Sequence, residues 1–280
     1  LSWPTGYKGA VAEVVDAEDL RGWLTERVRR LSAGAPYRPP TGAERDRAVA
    51  AVRAILAGDV PDLDGLGLTY AHPLLADRPG TERAWGALVL DTRPSAVVEV
   101  PHPASDRYTT RLGLELYEAM PDAALLIAGA HRDAANGAAD VAHRTDSLFH
   151  AVADTLGTAP EIQLHGFAAA SAPDTDVVIS AGAGAWRPAH DALTDALTRQ
   201  GFRVAHHEHL SGRTNVQGIA AAERGTPFLH LELAPLLRAD PGHRAAVVAS
   251  VARTWHQPGH QHAEHGGASR DQERHPEPGQ

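Results

Sequence analysis

The sequence predicts an α/β fold with a mixed, largely parallel sheet flanked by helices (phosphorylase/hydrolase-like), and three observations point there. Short apolar runs alternate with segments of helical periodicity along most of the chain. Several runs, such as Ala96-Val97-Val98-Glu99-Val100, are nearly continuous in Val, Ile, Leu and Ala, as in strands covered on both faces. The 280 residues also suffice for one large core with appendages.

The elements follow in order. Residues 1–60 form a helical N-terminal segment expected to pack on the main domain. Its helices are Ala17 to Ser32, with Leu20, Trp23, Leu24, Val28 and Leu31 on one face, and Gly42 to Ala57, with Thr41 and Glu44 as a capping box. Ala35 to Pro40 is a linker between them. Strands are predicted at Gly67 to His72, Trp85 to Leu90 and Ala96 to Val100, the first two an antiparallel pair joined through the turn Asp77-Arg78-Pro79-Gly80. After Asp106 a helix carries Leu112, Leu116 and Ala119, and the strand Ala124 to Gly129 delivers His131 and Arg132. A loop from Asp133 to Arg144 leads to a helix at Asp146 to Leu156 and a strand from Glu161 to Leu164 ending in His165-Gly166. Asp176 to Ser180 is a strand, Pro188 to Gln200 a helix, Phe202 to Ala205 a short strand and His206 to Gly218 a polar stretch. Phe228 to Leu233 is the last strand, before a helix from about Asp240 to Arg253. The α/β metal-binding domain thus spans residues 61–255, and residues 256–280, rich in Gly, Pro, His, Gln and Glu without periodicity, read as a disordered tail.

Composition narrows the chemistry. The formal charge of -9 makes nucleic acid an unexpected partner at neutral pH, although protonating the 17 histidines would make the net charge positive. No Cys is present, which leaves imidazole and carboxylate as the strong metal ligands. No apolar run reaches the ~20 residues of a membrane span, so no membrane insertion is expected. The first residue, Leu1, fits a removed signal peptide and a trimmed chain equally, so secreted and cytoplasmic locations both stay open, as does the oligomeric state.

Three predicted strands end in metal-ligating side chains: Val100 before His102, Leu164 before His165, and Leu231 before Glu232. As parallel neighbours, their carboxyl ends would converge where open α/β sheets keep their ligand sites. A zinc hydrolase needs three protein ligands, an open fourth position and a carboxylate that takes a proton from water. His102, Asp106 and His165 are the candidate ligands and Glu232 the candidate base. Simpler readings stand beside each: a strand-end histidine at His102, a helix N-cap at Asp106, a core histidine at His165, and a salt bridge at Glu232.

These residues resemble the zinc carboxypeptidase-like superfamily, nearest its N-formylglutamate amidohydrolase and poly-γ-glutamate hydrolase side. The resemblance rests on His102 with Asp106, on Gln163-Leu164-His165-Gly166-Phe167, on His230-Leu231-Glu232-Leu233, and on Asn136-Gly137 with Asp140-Val141-Ala142-His143-Arg144 between them. It spans roughly Ala96 to Leu237. It implies Zn2+ as cofactor and Arg144, or Arg132, as the grip on an anionic group of a small-molecule or peptide substrate. His131, Arg132 or His143 would stabilise an oxyanion while Glu232 relays the proton. The chain departs from the superfamily in having Asp as the acidic ligand at a wider spacing, His143 near the expected Asn-Arg, and no Tyr just before Glu232. Endopeptidase, carboxypeptidase and amidohydrolase therefore remain open, with zinc-dependent cleavage of an amide beside a carboxylate, as in an N-acyl amino acid, fitting best; the rivals are a metal-dependent esterase or deacetylase and a silent anion-binding protein on the same fold.

Other signals are weaker. Gly182-Ala183-Gly184 has Arg187 where a dinucleotide loop needs its third Gly, and Ser180 lacks the glycines of a nucleophile elbow. His206, His207 and His209 alternate faces. Asn215 and Gln217 are candidate substrate contacts in a loop, and His256, His260, His262 and His265 could chelate stray metal.

Overall fold

The computed structural model describes residues 17–78, 81–90 and 93–255; the predicted tail, with His256, His260, His262 and His265, lies outside the described residues. Two helices come first, α1 (Ala17–Arg29) and α2 (Gly42–Leu56). α2 begins on the predicted capping box, with Thr41 Oγ1 accepting from Glu44 N at 3.2 Å and the Glu44 carboxylate accepting from Thr41 N at 2.9 Å. Then follow β1 (Leu68–Ala71), β2 (Leu74–Asp77), β3 (Ala87–Val89), β4 (Ala96–Val100), α3 (Thr109–Ala119) and β5 (Ala123–Ile127). The middle of the chain supplies the short α4 (Ala134–Gly137), α5 (Leu148–Leu156), β6 (Glu161–Gly166), β7 (Val177–Ser180) and α6 (Pro188–Arg199). The last elements are β8 (Val204–Ala205), α7 (Val216–Arg224), β9 (Phe228–Leu233), α8 (Pro235–Ala239) and α9 (Pro241–Trp255).

The nine strands among the described residues form one mixed sheet in the order β1-β2-β3-β5-β4-β6-β9-β7-β8. Its centre, β5-β4-β6-β9, is parallel, while the β1-β2-β3 meander and β7 join it antiparallel. One face is covered by α3 and α9, with α1 and α6 packed on them; the other is covered by α5 and α7, with α2 on α5. Two apolar cores result, one holding Val98, Ile162, Leu231 and Val251, the other Val52, Leu88, Leu126 and Phe149. Helices on both faces explain why these strands read as near-continuous apolar runs. No helix among the described residues is long and apolar enough to cross a membrane.

The structure corrects several elements. The strands predicted as an antiparallel pair are not neighbours: β2 lies between them, and the turn that closes β1 onto β2 is at His72-Pro73. Four residues ending in an acid carry little strand signal, but the Asp77 carboxylate is buried, ion-paired to Arg27 and accepting from Gly86 N at 2.6 Å. The polar stretch to Gly218 gives way to α7 at Val216, an Ala-rich helix whose buried face includes Gln217, Gly218 and Ala221. α8 also escapes the sequence reading, because five residues are too few for a visible period.

Candidate metal centre

The order β4-β6-β9 brings the three strand ends side by side at the carboxyl edge. His165 on β6 is in register with Glu232 on β9, and His102 lies two residues beyond the end of β4. The chain turns back after β4, with Asp106 N donating to His102 O at 3.0 Å, and this returns a carboxylate to the same edge. Asp106 Oδ2 lies 3.4 Å from His102 Nδ1 and 3.3 Å from His165 Nδ1, and accepts from Gly166 N at 3.1 Å. Asp106 is not the helix N-cap: α3 starts after Tyr108, and Asp106 meets Thr109 through its backbone carbonyl.

His102, Asp106 and His165 fit a metal ion. They are 2 %, 7 % and 4 % exposed, and their ligand atoms lie within 4.8 Å of one another. Two atoms bound at about 2.0–2.1 Å to one tetrahedral zinc are about 3.3 Å apart, the spacing between Asp106 Oδ2 and each imidazole Nδ1 here. Three protein ligands leave a fourth position open. A second group, His165, His230 and Glu232, shares His165 with the first.

The surroundings orient and tune these groups. His102 Nε2 donates to Asp140 Oδ1 at 2.7 Å, which leaves Nδ1 facing Asp106, and Arg132 Nη2 donates to Asp140 Oδ2 at 2.6 Å. Burial opposes a charged imidazole at His102, yet the hydrogen bonds to Asp106 and Asp140 raise its pKa. Burial also works against ionised Asp106, but hydrogen bonds with His102 and His165 hold its pKa below the ordinary range. His165 goes the other way, pushed down to about 4 chiefly by burial. Burial, then the Asp106 charge, pushes Glu232 up to about 8, and Glu232 Oε2 has no hydrogen-bond partner among the described residues.

The predicted residues divide by location. Arg132 stands at the centre, between Asp140 and His102, with Nη1 3.4 Å from His102 Nδ1. His131 lies 3.4 Å from Ser105 Oγ, and His143 is 3.3 Å from Asp140 Oδ2. Arg144 is engaged elsewhere: it holds Asp146 bidentately at 3.0 and 2.7 Å. Asn215 is buried at the start of α7, and its Nδ2 donates to Gln163 Oε1 at 2.6 Å. Gly166 allows a close approach, and what approaches is the guanidinium of Arg238.

Sequence reasoning left several functional residues unassigned. Asp140 sits in a quoted motif with no role given. Arg238 is buried and spends its guanidinium on the carbonyls of Leu233, Arg107 and Phe167, tying together the loops around the site. Glu99, Gln163 and His230 lie on the Glu232 face of the central strands, and the period of two shared with Glu232 was the available signal. Ser180, the register partner of His230, helps line a separate cavity of about 420 Å3 together with Trp186, His206, His207, Ser211 and Arg213.

No protein-family model and no curated protein matches the chain. Solved structures do resemble it. A bacteriophage poly-gamma-glutamate hydrolase is 14 % identical over 57 % of this chain and 83 % of its own, with a TM-score of 0.43. The N-formylglutamate amidohydrolase from Ralstonia eutropha JMP134 is 16 % identical over 61 % and 96 %, with a TM-score of 0.41. A metallo-carboxypeptidase from Pseudomonas aeruginosa is 13 % identical over 60 % of each chain, with a TM-score of 0.40.

Proposed function

We propose that this chain is a zinc-dependent hydrolase of amide bonds beside a carboxylate, acting on an N-acyl amino acid or a peptide-like substrate. The observation that carries the reading is the convergence of His102 Nδ1, Asp106 Oδ2 and His165 Nδ1 beside a carboxylate, Glu232, in register with His165 and without a partner on Oε2. His102, Asp106 and His165 would hold the ion. Zinc there supplies Lewis acidity, polarising a carbonyl and making water easier to deprotonate near neutral pH.

The protein's own groups do the rest. Glu232, buried and raised above the ordinary carboxylate range in the metal-free protein, would be ionised beside the bound cation and accept a proton on Oε2. As the water oxygen bonds to the carbonyl carbon and the C–N bond breaks, Glu232 returns that proton to the departing amine nitrogen. Arg132, with Nη2 on Asp140 and Nη1 3.4 Å from His102 Nδ1, would meet negative charge on the carbonyl oxygen or a substrate carboxylate, whereas Arg144 is engaged by Asp146 away from these ligands.

The test is hydrolysis of N-formyl-L-glutamate, N-acetyl-L-aspartate and γ-linked glutamate oligomers by the zinc-loaded protein, with the matching methyl esters alongside. Amide cleavage that disappears in Glu232→Gln supports the proposal. Ester cleavage alone makes the protein an esterase, and ligand binding with no turnover of any substrate makes it a silent anion-binding protein.

A further inference from the structure

Amide and imidazole orientations are ambiguous one at a time, because the nitrogen and oxygen of a Gln can exchange places and a neutral His carries its proton on either ring nitrogen. Here a chain of contacts removes the ambiguity. It begins at the backbone carbonyl of Val141, which can only accept. Gln217 Nε2 donates to that carbonyl at 2.9 Å, so Gln217 Oε1 faces the other way. Oε1 can only accept, and it does so from Gln163 Nε2 at 3.1 Å, while the same Nε2 donates to Glu99 Oε2 at 2.9 Å. The far end of the Gln163 amide is therefore its oxygen, 3.0 Å from His165 Nε2 and 2.6 Å from the donating Asn215 Nδ2. An oxygen so placed requires a hydrogen on His165 Nε2.

We infer that Gln163 is a positioning residue for the metal centre: anchored through Gln217 on the Val141 carbonyl, it holds the ring proton of His165 on Nε2 and leaves Nδ1 open to a cation. The inference rests on reading His102, Asp106 and His165 as ligands. It gives the two histidines different supports, a carboxylate (Asp140) behind His102 and an uncharged amide behind His165. The neutral choice fits its neighbours. Glu99 and Glu161 are fully buried on the same strand face, Glu99 bonded to Gln163, and a third carboxylate there would face both. The arrangement also has two opponents: Asp106 Oδ2, 3.3 Å from Nδ1, would accept a proton on that nitrogen, and Asn215 Nδ2, 3.3 Å from Nε2, would donate to an unprotonated Nε2. Gln163 decides which nitrogen carries it.

The experiment uses the full-length, metal-free protein labelled with 15N-histidine, whose long-range 1H–15N correlations distinguish the two tautomers; His165 is assigned by comparison with His165→Gln. At a pH high enough to leave His102 neutral, the wild type should show His165 and His102 both protonated on Nε2. Gln163→Leu should move His165 to the Nδ1-protonated pattern, leave His102 unchanged and weaken zinc binding about 10- to 100-fold. Gln217→Met, which frees the amide to turn over, should move His165 the same way by less. A protein that has lost its fold would lose the His102 pattern as well, and Gln217→Met then carries the test. An Nδ1-protonated His165 in the wild type, or an unchanged His165 in both folded variants, would overturn the inference. Because the pattern is read without metal or substrate, an Nε2-protonated His165 in a protein that binds no zinc supports the inference and sinks only the hydrolase reading.

Discussion

On one face of β4, β6 and β9, Val98, Val100, Ile162, Leu164, Leu229, Leu231 and Leu233 are buried in the core beneath α3 and α9. On the other face the same strands present Glu99, Glu161, Gln163, His165, His230 and Glu232, five of these six also buried. Both faces have the period of two that a strand imposes. The difference lies in what each row of side chains costs. The apolar row gains about 25 cal/mol per Å2 removed from water, whereas every buried polar atom of the other row needs a partner or shifts its pKa. Glu99 and Glu161 do shift, both upward and both chiefly through burial. In a sheet covered on both sides, alternation therefore separates packing from chemistry instead of core from solvent.

Variants in the two rows should separate cleanly. Glu232→Gln should have the largest effect, lowering kcat/KM for a cleaved amide by about 10²- to 10⁴-fold while zinc affinity and unfolding stability stay near wild type, checked by steady-state kinetics and denaturant titration. Leu231→Ala, one residue away but facing the apolar core and 0 % exposed, should do the reverse. Its cost should be about 2–5 kcal/mol of unfolding free energy, with zinc affinity of the folded fraction unchanged. If Leu231→Ala abolished zinc binding in folded protein, the separation of the faces would fail.

Asp140→Asn should weaken zinc binding about 10- to 100-fold, measured by chelator competition, because the amide oxygen still accepts from His102 Nε2 but without a charge. The smallest effect belongs to Glu161. Burial pushes its pKa up to about 7, against the pull of Arg224, so between its unfolded value near 4.5 and about 7 the folded state binds the extra proton. Its contribution to stability is therefore lost as pH rises through that window. Glu161→Gln removes the titration, and the stability of the variant relative to wild type should climb between pH 5 and pH 8 by ~1–3 kcal/mol, read from urea unfolding at several pH values.

The apolar row was readable from sequence because hydrophobic periodicity is a local signal. Val97 to Val100 and Phe228 to Leu233 announced buried strands, and His102, His165 and Glu232 at or beyond their ends announced a ligand edge. Pairing is not local, so β2 was missed between β1 and β3, and the sheet order β5-β4-β6-β9 could only be supposed. Gln163 and Asn215 illustrate the same limit inside the site. Nothing near Gln163 in the chain says that Gln217, on a helix hidden in a polar stretch, turns its amide toward His165. Arg144 shows the converse, since a motif position does not reveal that Asp146 two residues on has captured the guanidinium.

The most direct test of the polar face as a metal centre is zinc stoichiometry of the full-length protein against the double variant His102→Ala/His165→Ala, measured side by side so that the tail histidines contribute equally to both. The wild type should bind one zinc ion more per chain than the variant. Equal zinc content in two folded proteins would contradict the account.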